Sequence, residues 1–398
     1  MAFFYIMVLG IAAYGGAFVK IEIAGIPLTY IFMALLAVTY INYFIRHRGK
    51  LKIWKSEICL IVFVCYGLLI VLLSAFGVQE NLLNGELLTL KSYIFRQAYY
   101  LYFLPLIIVM ADEENYTKYK KLLEKYRLIL FWGIYLFHII YRQQLAIGVP
   151  TVFILAYLSL QKKGDQVYEW LGFIAVMFTP IAIGGELTNL FIRLVYAVYY
   201  LIQCRRVLVT RLLVGGIGVA LIAMFVAPFF SRYFSSFLDA NSYWRLQYWQ
   251  DELFILIKSK FLGVGFGTAY ASTAFVGDMN SIAGGPFAAT SEYTVMEKLF
   301  ATGAHNSFIS LAFRLGVVGI VLFLMFFWML YVKMRKYNET ICPATFFIFF
   351  SSILIISFNV GLESPYYLML FIFAMGISNA EVIKNSNRNL CLESNMKS

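Results

Sequence analysis

Residues 211–230 read RLLVGGIGVALIAMFVAPFF and residues 306–332 read NSFISLAFRLGVVGIVLFLMFFWMLYV, with about 75 residues of mixed polarity between them. Each apolar run is as long as the roughly 20 residues that a helix needs to cross a bilayer. Similar runs recur along a chain that is 62% hydrophobic and 13% charged, whereas soluble domains are about a quarter charged. The sequence therefore predicts an all-α, polytopic membrane protein.

The apolar runs predict about twelve transmembrane helices and one large loop between the ninth and the tenth. Helices 1–9 are expected within 1–230, the loop over 231–305, helices 10–12 within 306–380, and a disordered polar tail over 381–398. The predicted spans are 2–19, 25–45, 57–77, 92–110, 127–142, 145–161, 168–184, 188–204, 211–230, 306–332, 344–360 and 364–380. The first has no basic n-region and no small-residue cleavage site, so we expect a retained span and not a signal peptide.

The basic residues indicate the orientation of the chain. Lys and Arg are concentrated at 46–55, 118–127, 205–211 and 333–336, which fall on one side of the twelve-span arrangement. By the positive-inside rule both termini are then cytoplasmic and the 231–305 loop faces outward. The net charge of +11 is accounted for by topology and gives no reason to expect a nucleic-acid partner. The five cysteines include no C-x-x-C pair, so neither a disulfide framework nor a metal site is indicated.

The predicted loop divides into a helical and an irregular part. Residues 242–260 are rich in aromatic and aliphatic side chains and predict an interfacial helix with Ser242 as its N-cap. Residues 263–305 are rich in Gly, Ala, Ser and Thr, which is typical of a lid or binding loop. Because Gly263-Val-Gly-Phe-Gly267 follows a helix and not a strand, it predicts a tight turn that allows close backbone approach, not a nucleotide site.

His305 lies where this loop enters the tenth predicted span. An imidazole titrates near neutrality and can take a proton from a sugar hydroxyl; alternatively, His305 only precedes a helix capped by Asn306 or Ser307.

Arg245 and Trp249 are four residues apart and share a helical face. The planar guanidinium suits phosphate oxygens, and the indole can stack on it or on a sugar, although a headgroup anchor in an aromatic belt has the same pattern.

Four arginines fall inside or at the ends of predicted spans: Arg96, Arg142, Arg193 and Arg314. A charged side chain costs at least about 2.5–3.5 kcal/mol at the bilayer centre, so such residues usually face a cavity or a counter-charge. Arg96 and Arg193 lie in the outer halves of their spans and suit a pyrophosphate. In a purely structural interpretation, Glu186 pairs with Arg193 and Arg142 snorkels to the interface.

Three segments carry a resemblance to a known family. The Arg-x-x-x-Trp at 245–249, the run FLGVGFG at 261–267 and the run HNSFISLAFRLGVVG at 305–319 resemble the O-antigen ligase/polymerase family of bacterial inner-membrane enzymes. The resemblance implies about a dozen spans and one large periplasmic loop late in the chain. It also implies an undecaprenyl-pyrophosphate-linked glycan as donor, with neither nucleotide, metal nor other cofactor.

The resemblance also implies residue roles. His305 would be the general base that activates an acceptor hydroxyl, and Arg245 would bind the pyrophosphate leaving group. Arg193 resembles the family arginine near the outer end of a middle span, although the usual Thr-x-Ser-Arg spacing is absent. Arg314 stands where many members carry an acidic residue. Further candidates for substrate binding are Arg96, Trp249 and Asn306.

Two transferase functions fit these features. A polymerase moves a growing lipid-linked glycan onto a new lipid-linked repeat unit, and a ligase moves the finished glycan onto lipid A-core. The modest loop and the departures at Arg193 and Arg314 favour the polymerase, with a chain-length regulator as a possible further partner.

A flippase or other transporter would have short outer loops and two comparable halves, which this chain lacks. A scaffold of an export complex would leave the outer arginines unexplained.

Overall fold

A computed structural model describes Tyr5, Val8 and residues 22–23, 26–47, 54–78, 87–142, 148–161, 166–180, 186–201, 206–230, 240–272, 275, 299–300, 303, 305–338, 340–359 and 361–397. This part of the chain is helical apart from turns and one short antiparallel hairpin, β1 (Glu22–Ile23) and β2 (Ile26–Pro27). Two 3-10 segments, Lys91–Tyr93 and Ala227–Phe230, adjoin α-helices.

The α-helices of the described residues are α1 (Leu28–His47), α2 (Lys55–Ala75), α3 (Ile94–Gln97), α4 (Tyr99–Phe103), α5 (Leu106–Met110), α6 (Glu113–Arg142), α7 (Val149–Ser159), α8 (Gln166–Phe178), α9 (Glu186–Leu201), α10 (Arg206–Val226), α11 (Ala240–Lys258), α12 (Ser307–Lys336), α13 (Pro343–Phe358) and α14 (Pro365–Lys397).

Four stretches of the described residues are long and apolar enough to cross a membrane, namely Lys55–Ala75, Thr210–Phe230, Ser307–Lys336 and Tyr366–Arg388. The bent pair Lys91–Gln97 and Tyr99–Met110 would add a fifth as one broken span. The chain is thus an all-α membrane protein. The number of twelve spans stays a prediction, and the first of them, 2–19, lies outside the described residues except for Tyr5 and Val8.

Burial distinguishes the apolar helices in the centre of the protein from those at its surface. The apolar window of α14 is 89% buried inside the protein, whereas that of α10 is 11% buried. Both are apolar enough to span, so α14 is a central helix and α10 presents its side chains to the lipid. The central α14 packs against α5 and α13, and α12 packs closely against α2.

The predicted disorder of the tail 381–398 is wrong for residues 381–397, because α14 continues through them. Its polar side chains have partners on other helices: Glu381 accepts from the backbone nitrogen of Cys342 at 3.2 Å and from the hydroxyl of Thr345. Asn387 Nδ2 donates to Glu113 Oε2 at 2.8 Å. These contacts join residues that are distant in sequence. Composition carries no information on such contacts, and for this reason it indicated a solvated tail.

Three other boundaries differ from the sequence-based ones. The predicted span 92–110 is divided into α3, α4 and α5, with Pro105 as the N-cap of α5. The connector 111–127 and the span 127–142 form the single 30-residue helix α6. Ser242 is not an N-cap, because α11 already begins at Ala240.

Candidate functional site

The glycine run 263–267 brings the segment after α11 against α12. Its three glycines have φ of 73° to 81°, a region that favours glycine. The Val264 backbone nitrogen donates to the Phe313 carbonyl at 2.8 Å, and a Cβ on Gly263 would lie 2.5 Å from the Gly316 nitrogen. The predicted tight turn with close backbone approach is therefore confirmed.

Gln97 joins the other end of this run to α3. Its Nε2 donates to the carbonyl oxygens of Thr268 at 3.0 Å and Phe300 at 3.2 Å, and its Oε1 accepts from the Gly267 nitrogen at 2.7 Å. A buried amide that is bonded on both its nitrogen and its oxygen is a rigid connection. The segment 263–268 is thus held between α3 and α12.

His305 lies at the junction between this segment and α12. Its φ is 56°, a left-handed conformation that is uncommon outside glycine and often found at functional sites. The next residue, Asn306, is the N-cap of α12, and its Oδ1 accepts from the nitrogens of Phe308 at 3.0 Å and Ile309 at 3.2 Å. Of the two predicted cap candidates, Asn306 and Ser307, Asn306 is the cap, and its role in substrate binding stays a prediction.

An aromatic and a cationic side chain of α11 accompany His305. The imidazole lies edge-to-face with the Trp244 ring, with centroids 5.4 Å apart, and the guanidinium carbon of Arg245 lies 5.6 Å from the centroid of Trp244. Burial, and secondly the positive charge of Arg245, lower the pKa of His305 from 6.5 to about 4. The imidazole is therefore neutral at pH 7 and has an unprotonated nitrogen that can accept a proton.

Helix α11 presents two faces to the site. Trp244, Tyr248 and Glu252 recur every four residues and are buried, as expected for one face of a helix. Arg245 and Trp249 lie on the neighbouring, half-buried face. The Trp249 ring packs against both apolar clusters of the protein. Helix α11 packs against α12. It is therefore more enclosed by protein than is expected for a helix that lies at the membrane interface.

Arg193 is buried within α9. Its Nε donates to Asn189 Oδ1 at 2.9 Å and its Nη1 to the Met177 carbonyl at 2.7 Å. The Nη2 atom has no hydrogen-bond partner among the described residues. The side chains of Glu186 and Arg142 lie outside the described residues, so the pairing of Glu186 with Arg193 and the snorkelling of Arg142 stay predictions.

Asn359, the residue that follows α13, links the start of α9 to the segment that carries His305. Thr188 Oγ1 accepts from Asn359 Nδ2 at 3.1 Å, and Ser307 Oγ donates to the Asn359 carbonyl at 3.5 Å. Ser307 is two residues from His305. The helix that carries Arg193 thus reaches the neighbourhood of the histidine.

Arg96 lies on the wall of a cavity of about 370 Å³. We call this space the Glu363 cavity; it lies between α1, α3–α4, the segment around Tyr270 and the turn before α14. The guanidinium carbon of Arg96 lies 5.5 Å from the Tyr93 ring centroid. Arg96 therefore lines the Glu363 cavity, whereas Arg245 lies beside Trp244.

Arg314 is 2% exposed, and its role was not apparent from the sequence. Its Nη1 donates to the carbonyl oxygens of Gly265 at 3.0 Å and Thr268 at 2.9 Å. The guanidinium carbon lies 3.9 Å from the Tyr270 centroid, within cation–π range. Arg314 therefore fixes the glycine run to α12.

Two buried carboxyl groups near Arg314 were missed by the sequence analysis. Burial raises the pKa of Glu252 well above its ordinary value, and the charge of Arg314 partly offsets this. Burial also raises the pKa of Glu363, whose Oε2 accepts from Ser307 Oγ at 2.8 Å. The four-residue spacing from Tyr248 could have placed Glu252 on the buried face. For Glu363 no local pattern was available, because its partners belong to other elements.

Residues 170–324 match the family model described as O-antigen ligase. This part of the chain is similar to the O-antigen ligase family. The matched residues extend from α8 into α12 and include Arg193, Arg245, His305 and Arg314. No curated protein matches the chain. The resemblance that the sequence carries is thereby confirmed at the level of the family.

The pKa of His305 predicts a pH dependence for the base role that the sequence assigns to this residue. A base is disabled by protonation, so we expect the acid limb of kcat/KM near pH 4 and not near the ordinary 6.5. Arg245→Lys retains the positive charge and should leave the limb in place, whereas Arg245→Gln should move it to higher pH. The kcat/KM profiles, together with an NMR titration of the His305 ring, test this. The prediction is wrong if both variants titrate alike.

Proposed function

We propose that the protein is a glycan polymerase that joins lipid-linked repeat units at the periplasmic face of the bacterial inner membrane. The observation that carries the proposal is the neutral imidazole of His305 beside Arg245, where the 231–305 segment enters α12. The family resemblance supplies the donor, a glycan linked to undecaprenyl pyrophosphate. The acceptor is a sugar hydroxyl on a second lipid-linked repeat unit.

The proposed reaction uses these side chains for proton transfer and for charge. The acceptor oxygen attacks the anomeric carbon of the donor, and the bond between that carbon and the diphosphate oxygen breaks. His305 takes the proton of the hydroxyl, which strengthens the nucleophile as the new glycosidic bond forms. The electron pair of the broken bond leaves with the lipid diphosphate, whose growing charge requires fixed positive groups nearby.

Arg245 is the first candidate for that charge, because its planar fork matches phosphate oxygens. The Nη2 of Arg193, buried and without a partner among the described residues, is the second. Burial is the larger cause of the lowered pKa of His305, and the positive charge of Arg245 is the smaller one. A diphosphate at Arg245 would offset this smaller cause. The imidazole would then become a stronger base when the donor is bound, and a base is most effective when its pKa lies near the working pH.

The second candidate function is that of an O-antigen ligase, which transfers the finished glycan to lipid A-core. The description of the matching family model favours it. Both functions use the same donor and the same base. The chemistry of His305 and Arg245 therefore supports either, and the acceptor distinguishes them.

A deletion strain distinguishes the candidates through its surface glycans. Loss of a polymerase is expected to leave single repeat units attached to the acceptor, whereas loss of a ligase leaves long, unattached lipid-linked chains. Single lipid-linked units that a periplasmic glycosidase cannot reach would indicate a transporter and overturn the proposal. Complementation with the wild-type chain must restore the normal pattern, and unchanged glycans in the deletion strain would also overturn it.

A further inference from the structure

The backbone of His305 is held in a conformation that few residues adopt. Its φ is 56°, in the left-handed region that is uncommon for residues other than glycine. Such a conformation persists where the surrounding structure over-determines it. Because the direction of the Cα–Cβ bond depends on φ, a return to the common negative φ would turn the imidazole away from Trp244, which it contacts edge-to-face. The contacts that hold this backbone therefore also hold the imidazole.

The two residues that follow His305 differ in what they hold. The cap bonds of Asn306 lie within α12, so they define where the helix begins and do not fix it to another element. The hydroxyl of Ser307, in contrast, donates to Glu363 Oε2 at 2.8 Å and accepts from the Leu362 nitrogen at 3.0 Å. Both bonds connect the first turn of α12 to the turn that precedes α14.

The carboxyl of Glu363 is the main acceptor of Ser307. The hydroxyl has a single hydrogen to donate, and the Glu363 oxygen at 2.8 Å is closer to it than the Asn359 carbonyl at 3.5 Å. Ser307 is 0% exposed, so water does not compete for the hydrogen, and a hydrogen bond in the low dielectric of the interior is strong. The bond therefore resists any displacement of the first turn of α12.

The turn 361–364 is a rigid partner for Ser307. The Leu362 side chain is 0% exposed and belongs to the large apolar cluster. The carbonyl of Ser364 accepts from the Leu368 nitrogen at 2.8 Å, which joins the turn to α14. Since α14 is the central helix, the turn provides a fixed point against which the start of α12 is held.

We propose that Ser307 and Glu363 are positioning residues, whose hydrogen bond holds the left-handed backbone that directs the imidazole of His305 towards the acceptor hydroxyl. This inference rests on the proposed function, in which His305 is the base. Both residues act through the histidine and are assigned no contact with the reacting atoms. Without the bond, His305 is free to adopt the common negative φ, and its imidazole leaves its place beside Trp244.

The pKa of His305 reports the position of its imidazole. Burial and, to a smaller extent, the charge of Arg245 lower this pKa from 6.5 to about 4, and an imidazole that leaves this environment loses both causes. Ser307→Ala removes the hydroxyl, while Asn306 still caps the helix and alanine favours it, so the fold should be retained. We therefore expect the pKa of His305 to rise from about 4 towards 6.5 in this variant.

Histidine NMR of the purified full-length protein in nanodiscs measures this change. The chain has three histidines, and the signal of His305 is identified by its loss in His305→Asn. Ser352→Ala is the matched control, because the Ser352 hydroxyl is also buried but donates to the Phe349 carbonyl of its own helix at 2.9 Å. The control should leave the pKa of His305 unchanged. Equal His305 pKa values in Ser307→Ala and Ser352→Ala would overturn the inference.

A second pair of variants tests the hydrogen bond from its other end. Glu363→Gln keeps a side-chain oxygen that can accept from Ser307, so it should retain the wild-type pKa of His305 and the wild-type transfer rate. Glu363→Leu should raise this pKa and lower kcat about 10- to 100-fold, since a small misplacement of a catalytic group has an effect of that size. It should bind undecaprenyl pyrophosphate as the wild type does, because Arg245 is retained. Equal behaviour of the two variants, or a parallel loss of donor binding, would contradict a positioning role.

These outcomes differ from those of a failed proposed function. The pKa of His305 is measured without substrate. If Ser307→Ala raises it while the deletion strain makes normal glycans, the proposed function fails and the positioning of the imidazole stands. If the deletion strain behaves as a polymerase mutant and the pKa of His305 in Ser307→Ala stays at its wild-type value, only the positioning role fails.

Discussion

Replacing His305 with asparagine is expected to reduce glycan transfer by about 10²–10⁴-fold, the usual contribution of a positioned general base. Asparagine tolerates the left-handed backbone better than most residues, and the φ of His305 is 56°. The variant therefore retains the backbone conformation and loses the proton acceptor. Transfer is measured with purified protein in nanodiscs, from lipid-linked repeat units to longer chains separated on a gel.

Two controls accompany this variant. His138→Asn replaces the histidine of α6, whose Nδ1 lies 3.1 Å from Thr151 Oγ1, and should leave the transfer rate within about threefold, since this position takes no part in the proposed proton transfer. Binding of undecaprenyl pyrophosphate to His305→Asn should resemble that of the wild type, because Arg245 is retained. A folded His305→Asn protein with the wild-type transfer rate would remove the basis for the proposed mechanism.

Replacing Gly316 with alanine is expected to lower the thermal stability of the protein markedly, although it adds only one methyl group. Gly316 has φ 68° and ψ −171° within α12, a conformation that is essentially restricted to glycine and costs other residues about 1–3 kcal/mol. A Cβ there would also lie 2.5 Å from the Phe261 carbonyl oxygen. Backbone atoms cannot rotate away from it, so the crossing of α12 and the glycine run must open.

The midpoint of thermal unfolding in detergent measures this effect. Gly218→Ala is the matched control, because a Cβ at Gly218 in α10 meets no atom within 4 Å, and alanine favours a helix by roughly 0.5–1 kcal/mol. We therefore expect a lower midpoint for Gly316→Ala and an unchanged or higher one for Gly218→Ala. Equal midpoints would show that the close approach of Gly263 and Gly316 does not stabilise the protein.

Several parts of the site could be predicted because they depend on short stretches of sequence. The turn at 263–267 followed from alternate glycines after a helix, and its positive φ values confirm it. A cap at Asn306 or Ser307 followed from their position before an apolar run, and the bonds from the Phe308 and Ile309 nitrogens show that Asn306 is the cap. The catalytic roles of His305 and Arg245 also came from the sequence, and they stay predictions.

Other parts of the site could not be predicted because they depend on contacts between distant elements. Arg314 was noted in the sequence only as a departure from the family pattern, but its guanidinium donates to the carbonyl oxygens of Gly265 and Thr268. Glu363 drew no attention in the sequence, and its hydrogen-bond partner Ser307 lies 56 residues earlier in the chain.

The sequence by itself determined the all-α membrane class, the resemblance to a known family, and the local turn and helix cap, because hydropathy, glycine spacing and capping act over a few residues. The tertiary structure alone decided which polar side chains meet, since the low dielectric of the interior makes each buried group depend on partners from other helices. Arg314, held by a segment about 50 residues earlier in the chain, and the Glu363 cavity, enclosed by five separate parts of the chain, are outcomes of that requirement.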